Sequence, residues 1–207
     1  MIFLKNMILT SSLYESIELV KKFLDKNTES KKILFIPTAT NADEYKKYIH
    51  LTQKVFEDFG YEVENFDVSI FSEEIAKEKL SEAKIVFISG GNTFYLLQEL
   101  KRKNLTSYLK ERIENGLLYI GESAGSVIAT PDIEYASIVD DKTLATELDD
   151  YAGLNLVDFY IVPHFEEEPF VESSRNTVEL YKDKLDLKLI NNKEAILVEN
   201  NNFTIIK

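Results

Sequence analysis

The stretch GLLYIGESAGSVIA, residues 116–129, sets an apolar run directly against a serine held between Gly121 and Gly125. A short continuous apolar run bounded by glycine reads as a strand buried on both faces. Where such a strand turns sharply into a helix through Gly-x-Ser-x-Gly, the serine hydroxyl is exposed and backbone N–H groups point at the space before it. Gly121 and Gly125 permit that crowded turn, and Ala124 keeps the next position small. A serine hydroxyl is a poor nucleophile until a base takes its proton and donors hold the oxyanion that forms. The pattern alone fits an ordinary strand–helix junction equally well, so the rest of the chain decides.

Further apolar runs flank this one. AKIVFISGGN, 83–92, runs into two glycines; KKILFIPTAT, 31–40, is closed by Pro37; FYIVPH, 159–164, ends on proline and histidine; MIFLKNMILT opens the chain as a first core strand. Between them lie stripes at helical spacing. Ile17, Val20 and Leu24 form one; Tyr45, Tyr48, Ile49, Thr52, Val55, Phe56 and Phe59 form a second, with Gly60 as its cap. Phe94, Leu97 and Leu100, then Leu105, Leu109 and Ile113, form two more, broken near Asn104. YEVENFDV, 61–68, alternates weakly, as an edge strand does, and EAILVENNNFTIIK, 194–207, reads as a terminal hairpin with an asparagine-rich turn.

Strands alternating with helices predict an α/β fold: a three-layer sandwich with a mostly parallel sheet, helices on both faces and a C-terminal β-hairpin. No repeat, low-complexity tract or linker divides the sequence, so residues 1–207 are expected to form a single domain. In such sheets, sites form at the carboxyl ends of the strands. Gly90-Gly91-Asn92, Ser123 and His164 all fall at such ends.

Composition narrows the chemistry. The 207 residues carry 24 Lys and Arg against 36 Asp and Glu, a formal charge of −12, and no dense basic stretch. Nucleic acid and anionic membrane surfaces are therefore not expected partners. The absence of cysteine excludes disulfides, thiolate metal sites and a cysteine nucleophile. The apolar N-terminus is interrupted by Lys5 and Asn6 with no small-residue cleavage site, and no apolar run reaches the roughly 20 residues of a membrane span. The expectation is a cytoplasmic protein acting on a small molecule.

Only two histidines are available as a base. His50 lies off the apolar stripe of its helix and reads as a solvated residue, whereas His164 stands at a strand end. The glycines of SGGNTF can present backbone N–H groups to an anion, and the Gly91 and Ala124 amides together suit an oxyanion hole. Asn92, next to Gly91, is a candidate substrate contact. The acidic run FEEEPFVE, 165–172, has one neighbouring histidine and no H-E-x-x-H spacing, so it reads as a solvated loop rather than a metal site. Arg175 is a nearby cation that could receive a substrate carboxylate, or a surface salt-bridge residue.

Taken together, SGGNTFYLL, LLYIGESAGSVIA and FYIVPHF, in this order and spacing, resemble the peptidase E family of serine peptidases. That family includes the cyanophycinases, and its fold is related to class I glutamine amidotransferases. The resemblance implies that Ser123 is the nucleophile, that His164 is the base, and that the Gly91 and Ala124 amides form the oxyanion hole. It implies a third member, an acid, in the turn before the C-terminal strands; here the matching position is Asn192, with Glu194 the nearest carboxylate. Both stand as candidate orienters. The implied substrates are small peptides with an N-terminal aspartate, for which Arg175 would supply the cation, and no metal or organic cofactor is implied. A monomer or a homodimer is compatible. Two alternatives stay open: another serine hydrolase (an esterase or a cyanophycinase-like enzyme), and a non-catalytic amidotransferase-like scaffold that binds a small ligand.

Overall fold

Residues that alternate sides of a strand must find apolar cover on both faces, and here two separate sets of helices provide it. The computed structural model describes residues 5–42 and 47–207, apart from the side chains at 47 and 48. The first four residues of the expected first strand, and Tyr45 and the Tyr48 side chain of the expected helical stripe, lie outside the described residues. In chain order the elements are β1 (Asn6–Thr10), α1 (Leu13–Asn27), β2 (Lys32–Ile36), α2 (Lys47–Asp58), β3 (Glu62–Asn65), α3 (Glu73–Glu82), β4 (Ile85–Ile88), α4 (Thr93–Arg102), α5 (Thr106–Glu114), β5 (Leu118–Glu122), α6 (Ala124–Val127), β6 (Tyr160–Val162), α7 (Val171–Tyr181), β7 (Leu187–Leu189), β8 (Ala195–Glu199) and β9 (Asn202–Ile206).

Seven strands form one sheet in the order β3-β2-β4-β5-β1-β8-β9. The first five in that order run parallel, while β8 pairs antiparallel with β1 and β9 antiparallel with β8. This is the mostly parallel α/β sandwich with a C-terminal hairpin that the sequence predicts. Met7, Leu9, Leu34, Ile36, Val86, Ile88 and Tyr119 face α3, α4 and α5. Ile8, Ile33, Phe35, Ile85, Phe87, Leu118 and Ile120 face α1 and α2. The period-two alternation was invisible as a polar pattern because both faces are buried.

Two departures from the sequence reading bear on the site. The run FYIV forms β6, but β6 leaves the main sheet and pairs in parallel with β7, Leu187–Leu189, in a two-stranded sheet of its own. The acidic run continues into α7, which carries Glu172 and Arg175. Among the described residues, no helix is long and apolar enough to cross a membrane.

The turn after β5 lies hard against the end of β4. A Cβ on Gly125 would stand 2.2 Å from the Ile88 carbonyl oxygen, which is backbone and cannot yield. Gly125→Ala should therefore lower stability by at least about 2 kcal/mol, as overpacking of a close-packed core does, read as a lower urea midpoint at unchanged slope.

Candidate active site

Ser123 occupies the junction of β5 and α6 with φ +47° and ψ −108°, a left-handed conformation that non-glycine residues rarely adopt. Such strain persists only where the surroundings enforce it. Here the Ser123 N–H donates to the Thr10 carbonyl at 2.9 Å, and its own carbonyl accepts from the N–H groups of Ser126 and Val127 at 2.8 and 2.9 Å. The Ser126 hydroxyl also donates to the Thr10 carbonyl, at 2.8 Å. The turn is thus fastened to the end of β1, and the Ser123 hydroxyl projects from it.

His164 follows β6, also in the left-handed region at φ +55°. Its N–H donates to the Ser11 hydroxyl at 3.0 Å, and Ser11 in turn donates to the Ile190 carbonyl at 3.0 Å. Ser11, the residue after β1, thereby ties the small sheet to the large one. The His164 ring stacks on Phe170 with centroids 4.6 Å apart. Its Nε2 lies 3.0 Å from Ser123 Oγ, and its Nδ1 lies 2.7 Å from Asn192 Oδ1. Burial holds the imidazole below its ordinary value of 6.5; the hydrogen bond to Asn192 Oδ1 and the charges of Glu167 and Glu15 oppose that shift without cancelling it. The ring is therefore neutral, and able to accept a proton, at pH 7.

Asn192 reaches His164 because β8 runs antiparallel. Thr10, at the carboxyl end of β1, pairs with Ala195, the first residue of β8. The turn before β8 therefore arrives at the end of the sheet where Ser123 stands. Asn191 and Glu194 build that turn: the Asn191 N–H donates to Glu194 Oε2 at 3.1 Å and the Lys193 N–H to Asn191 Oδ1 at 2.9 Å. The other Glu194 oxygen pairs with Lys207 at 2.6 Å. Glu194 is thus turned away from the imidazole, and of the two candidate orienters only Asn192 touches it. The Asn192 Nδ2 donates onward to Glu15 Oε1 at 2.8 Å.

Ser123 and His164 line a cleft of about 580 Å³ with Ser12, Thr40, Gly91, Val139, Asp140 and Phe170. Gly90 packs against Ser123, its Cβ position being 3.2 Å from Ser123 Cβ. Gly91 takes φ +129°, and a Cβ there would stand 2.4 Å from the Ala39 carbonyl carbon, so only glycine fits. Ala124 opens α6, where the first N–H groups lack an acceptor within the helix. Glu122, which also lines the cleft, is buried: Oε1 accepts the Leu13 N–H at 2.6 Å and Oε2 the Gly90 N–H at 3.5 Å. Asp140 accepts from the Thr93 N–H at 2.9 Å.

Two expected substrate contacts lie elsewhere. Asn92 is buried as the N-cap of α4, its Oδ1 accepting the Tyr95 N–H and its Nδ2 donating to the Asp141 carbonyl, both at 2.9 Å; it does not line the cleft. Its side chain is spent on capping, a role Asn commonly fills at that position. Arg175 is well exposed and forks onto Glu166, at 2.9 Å from Nε to Oε1, and it too is outside the cleft lining. His50 is exposed on α2. Ser11, Glu15, Asp140 and Phe170, which the sequence did not single out, are in or beside the site. Only the S-x-x-E spacing of Ser12 and Glu15 carried a local signal, and that signal is for a helix cap.

The chain is similar to known proteins over most of its length. Residues 7–206 match the pattern that defines peptidase family S51. An uncharacterised peptidase of Pasteurella multocida is 39% identical over 197 residues, 95% of each chain. A Drosophila melanogaster protein named provisionally as an alpha-aspartyl dipeptidase is 32% identical over 143 residues, 69% of this chain and 55% of its own. Among solved structures, a Listeria monocytogenes EGD-e protein named provisionally as a peptidase E superposes with TM-score 0.92 at 37% identity, covering 99% of this chain and 98% of its own.

The neutral, buried imidazole gives a direct expectation. In a proton NMR titration, the His164 ring should protonate with a midpoint below 6.5, and Asn192→Ala should move the midpoint lower, since its hydrogen bond raises the value.

Proposed function

The chain belongs to peptidase family S51 and is a serine peptidase, and from that premise we propose that it cleaves small peptides, foremost dipeptides with an N-terminal aspartate, through Ser123 and His164. The observation that carries this reading is the continuous contact from Ser123 Oγ to His164 Nε2, 3.0 Å, and from His164 Nδ1 to Asn192 Oδ1, 2.7 Å. A non-catalytic scaffold has no need to hold a strained serine within reach of a buried, neutral histidine.

In this reading His164 Nε2 takes the proton as Ser123 Oγ bonds to the scissile carbonyl carbon. The oxyanion of the tetrahedral intermediate sits between the Gly91 and Ala124 N–H groups. His164 then delivers the proton to the leaving amine, whose C–N bond breaks to leave an acyl-serine. Water, deprotonated by the same imidazole, attacks that ester and frees Ser123. Asn192 holds the ring through Nδ1–H, as an asparagine does in papain-like peptidases. Each oxyanion donor would contribute about 10²–10³ in rate.

The cleft of about 580 Å³ suits a ligand of dipeptide size. The aspartate preference is supported by the family resemblance and by the name of the Drosophila relative. The carboxyl groups of Glu122 and Asp140 are engaged by backbone N–H donors, which reduces their opposition to an acidic substrate.

With Asp-Leu and Ala-Leu as substrates, Ser123→Ala should lower turnover at least about 10³-fold; equal rates for the two proteins would remove the peptidase reading. The acid limb of kcat/KM should have its midpoint below 6.5, with activity lost as pH falls through it, because protonated His164 cannot act as base.

A further inference from the structure

An asparagine differs from a carboxylate in one respect that matters here: its two ends are not equivalent. A carboxylate offers an acceptor to His164 Nδ1 whichever way it is turned, whereas an amide offers an acceptor from Oδ1 and a donor from Nδ2. With Oδ1 toward the ring, Nδ1 carries the proton and Nε2 has a lone pair for the Ser123 hydroxyl. With the amide reversed, Nδ2 would donate to Nδ1, the ring proton would sit on Nε2, and His164 could not accept from Ser123. What binds the far end of Asn192 therefore decides whether the base works. In the structure that partner is Glu15, whose Oε1 accepts from Asn192 Nδ2 at 2.8 Å. A carboxylate accepts only, so it selects Nδ2 and turns Oδ1 to the imidazole.

The placement of Glu15 is unusual for its sequence context. Ser12 caps α1, its hydroxyl accepting the Glu15 N–H at 3.4 Å, and Ser12-x-x-Glu15 spells a capping box. In that motif the glutamate bends back toward the N–H of the capping serine. Here its Oε1 instead takes an amide 177 residues away. Departures from a local rule concentrate where function requires them. Glu15, Asn192, His164 and Ser123 are thereby joined by three consecutive contacts: Glu15 Oε1 to Asn192 Nδ2, Asn192 Oδ1 to His164 Nδ1, and His164 Nε2 to Ser123 Oγ.

We propose that Glu15 is a positioning residue for peptide hydrolysis, its carboxylate acting through the Asn192 amide to keep the His164 proton on Nδ1. This rests on the serine-peptidase chemistry proposed above. Glu15 touches neither substrate nor imidazole; Asn192 transmits its effect.

The test uses the whole protein labelled with nitrogen-15 histidine, in which His164 and His50 are the only two rings, at mildly alkaline pH. Wild type should show the shift pair of a ring protonated on Nδ1. Glu15→Ala should move His164 toward the Nε2-protonated form. Turnover of Asp-Leu by Glu15→Ala should fall about tenfold in kcat with KM within about twofold, as expected for a base displaced rather than a lost substrate contact. Glu15→Gln, whose amide offers Asn192 a donor as readily as an acceptor, should retain much of that loss. The decisive comparison is the Asn192→Asp background, where a carboxylate needs no partner to be oriented: there Glu15→Ala should change kcat by less than about twofold. An unchanged His164 tautomer in Glu15→Ala, or the same loss of kcat in both backgrounds, would overturn the proposal and assign Glu15 to the stability of α1. A wild-type protein without Ser123-dependent turnover would remove the peptidase reading alone, since the tautomer measurement needs no substrate.

Discussion

Glu122 closes β5 with its carboxyl group turned into the protein, where Oε1 holds the N–H of Leu13 and Oε2 that of Gly90. Leu13 begins α1, Gly90 follows β4 and Ser123 follows Glu122 itself, so one buried side chain binds the exits of three neighbouring strands. Chain segments leaving parallel strands expose N–H groups that the sheet no longer satisfies, and a buried N–H left without an acceptor is costly. Glu122 meets that requirement at the centre of the sheet. The positions of the Gly90-Gly91 turn, of Ser123 and of the start of α1 follow from it. From α1, the constraint reaches Glu15 and Asn192.

Much of this was legible in the sequence for a physical reason. Strands buried on both faces appear as unbroken apolar runs, and the turns that end them must accommodate close backbone approach, so glycines mark them. Ser123, Gly91 and His164 are visible because each stands at the end of such a run. The small sheet of β6 and β7 was half visible: β6 is apolar, but β7 is three residues long with Lys188 at its middle. The residue that meets His164 Nδ1 was legible only as a choice between two candidates. Asn192 and Glu194 are two residues apart in one turn, and which of them faces the ring depends on how that turn closes. Glu194 is consumed by the Asn191 N–H and by Lys207. Arg175 likewise reads as a free cation until its Glu166 partner, nine residues earlier, is in place.

An uncharged orienter also suits its surroundings. Glu15, Glu167 and Asp140 stand near the imidazole or the cleft in a chain of formal charge −12. A carboxylate at 192 would add one more negative charge beside Glu15. The amide instead accepts from His164 and donates to Glu15, so it joins a proton donor to an anion without contributing charge. The cost is a dependence on correct orientation, which an acid does not have.

The pairing of β1 with β8 has a consequence for how the protein comes to be active. β1 is the first strand in the described chain, yet it lies in the interior of the sheet, and one of its two edges is covered only when Met7 meets Val198 and Thr10 meets Ala195. Until that late segment arrives, the edge stays open and the loop that carries Asn192 has nowhere to dock. Contacts of such long sequence separation form slowly, because the loop they close must first be ordered. Completion of the site therefore depends on a contact between segments near opposite ends of the described chain.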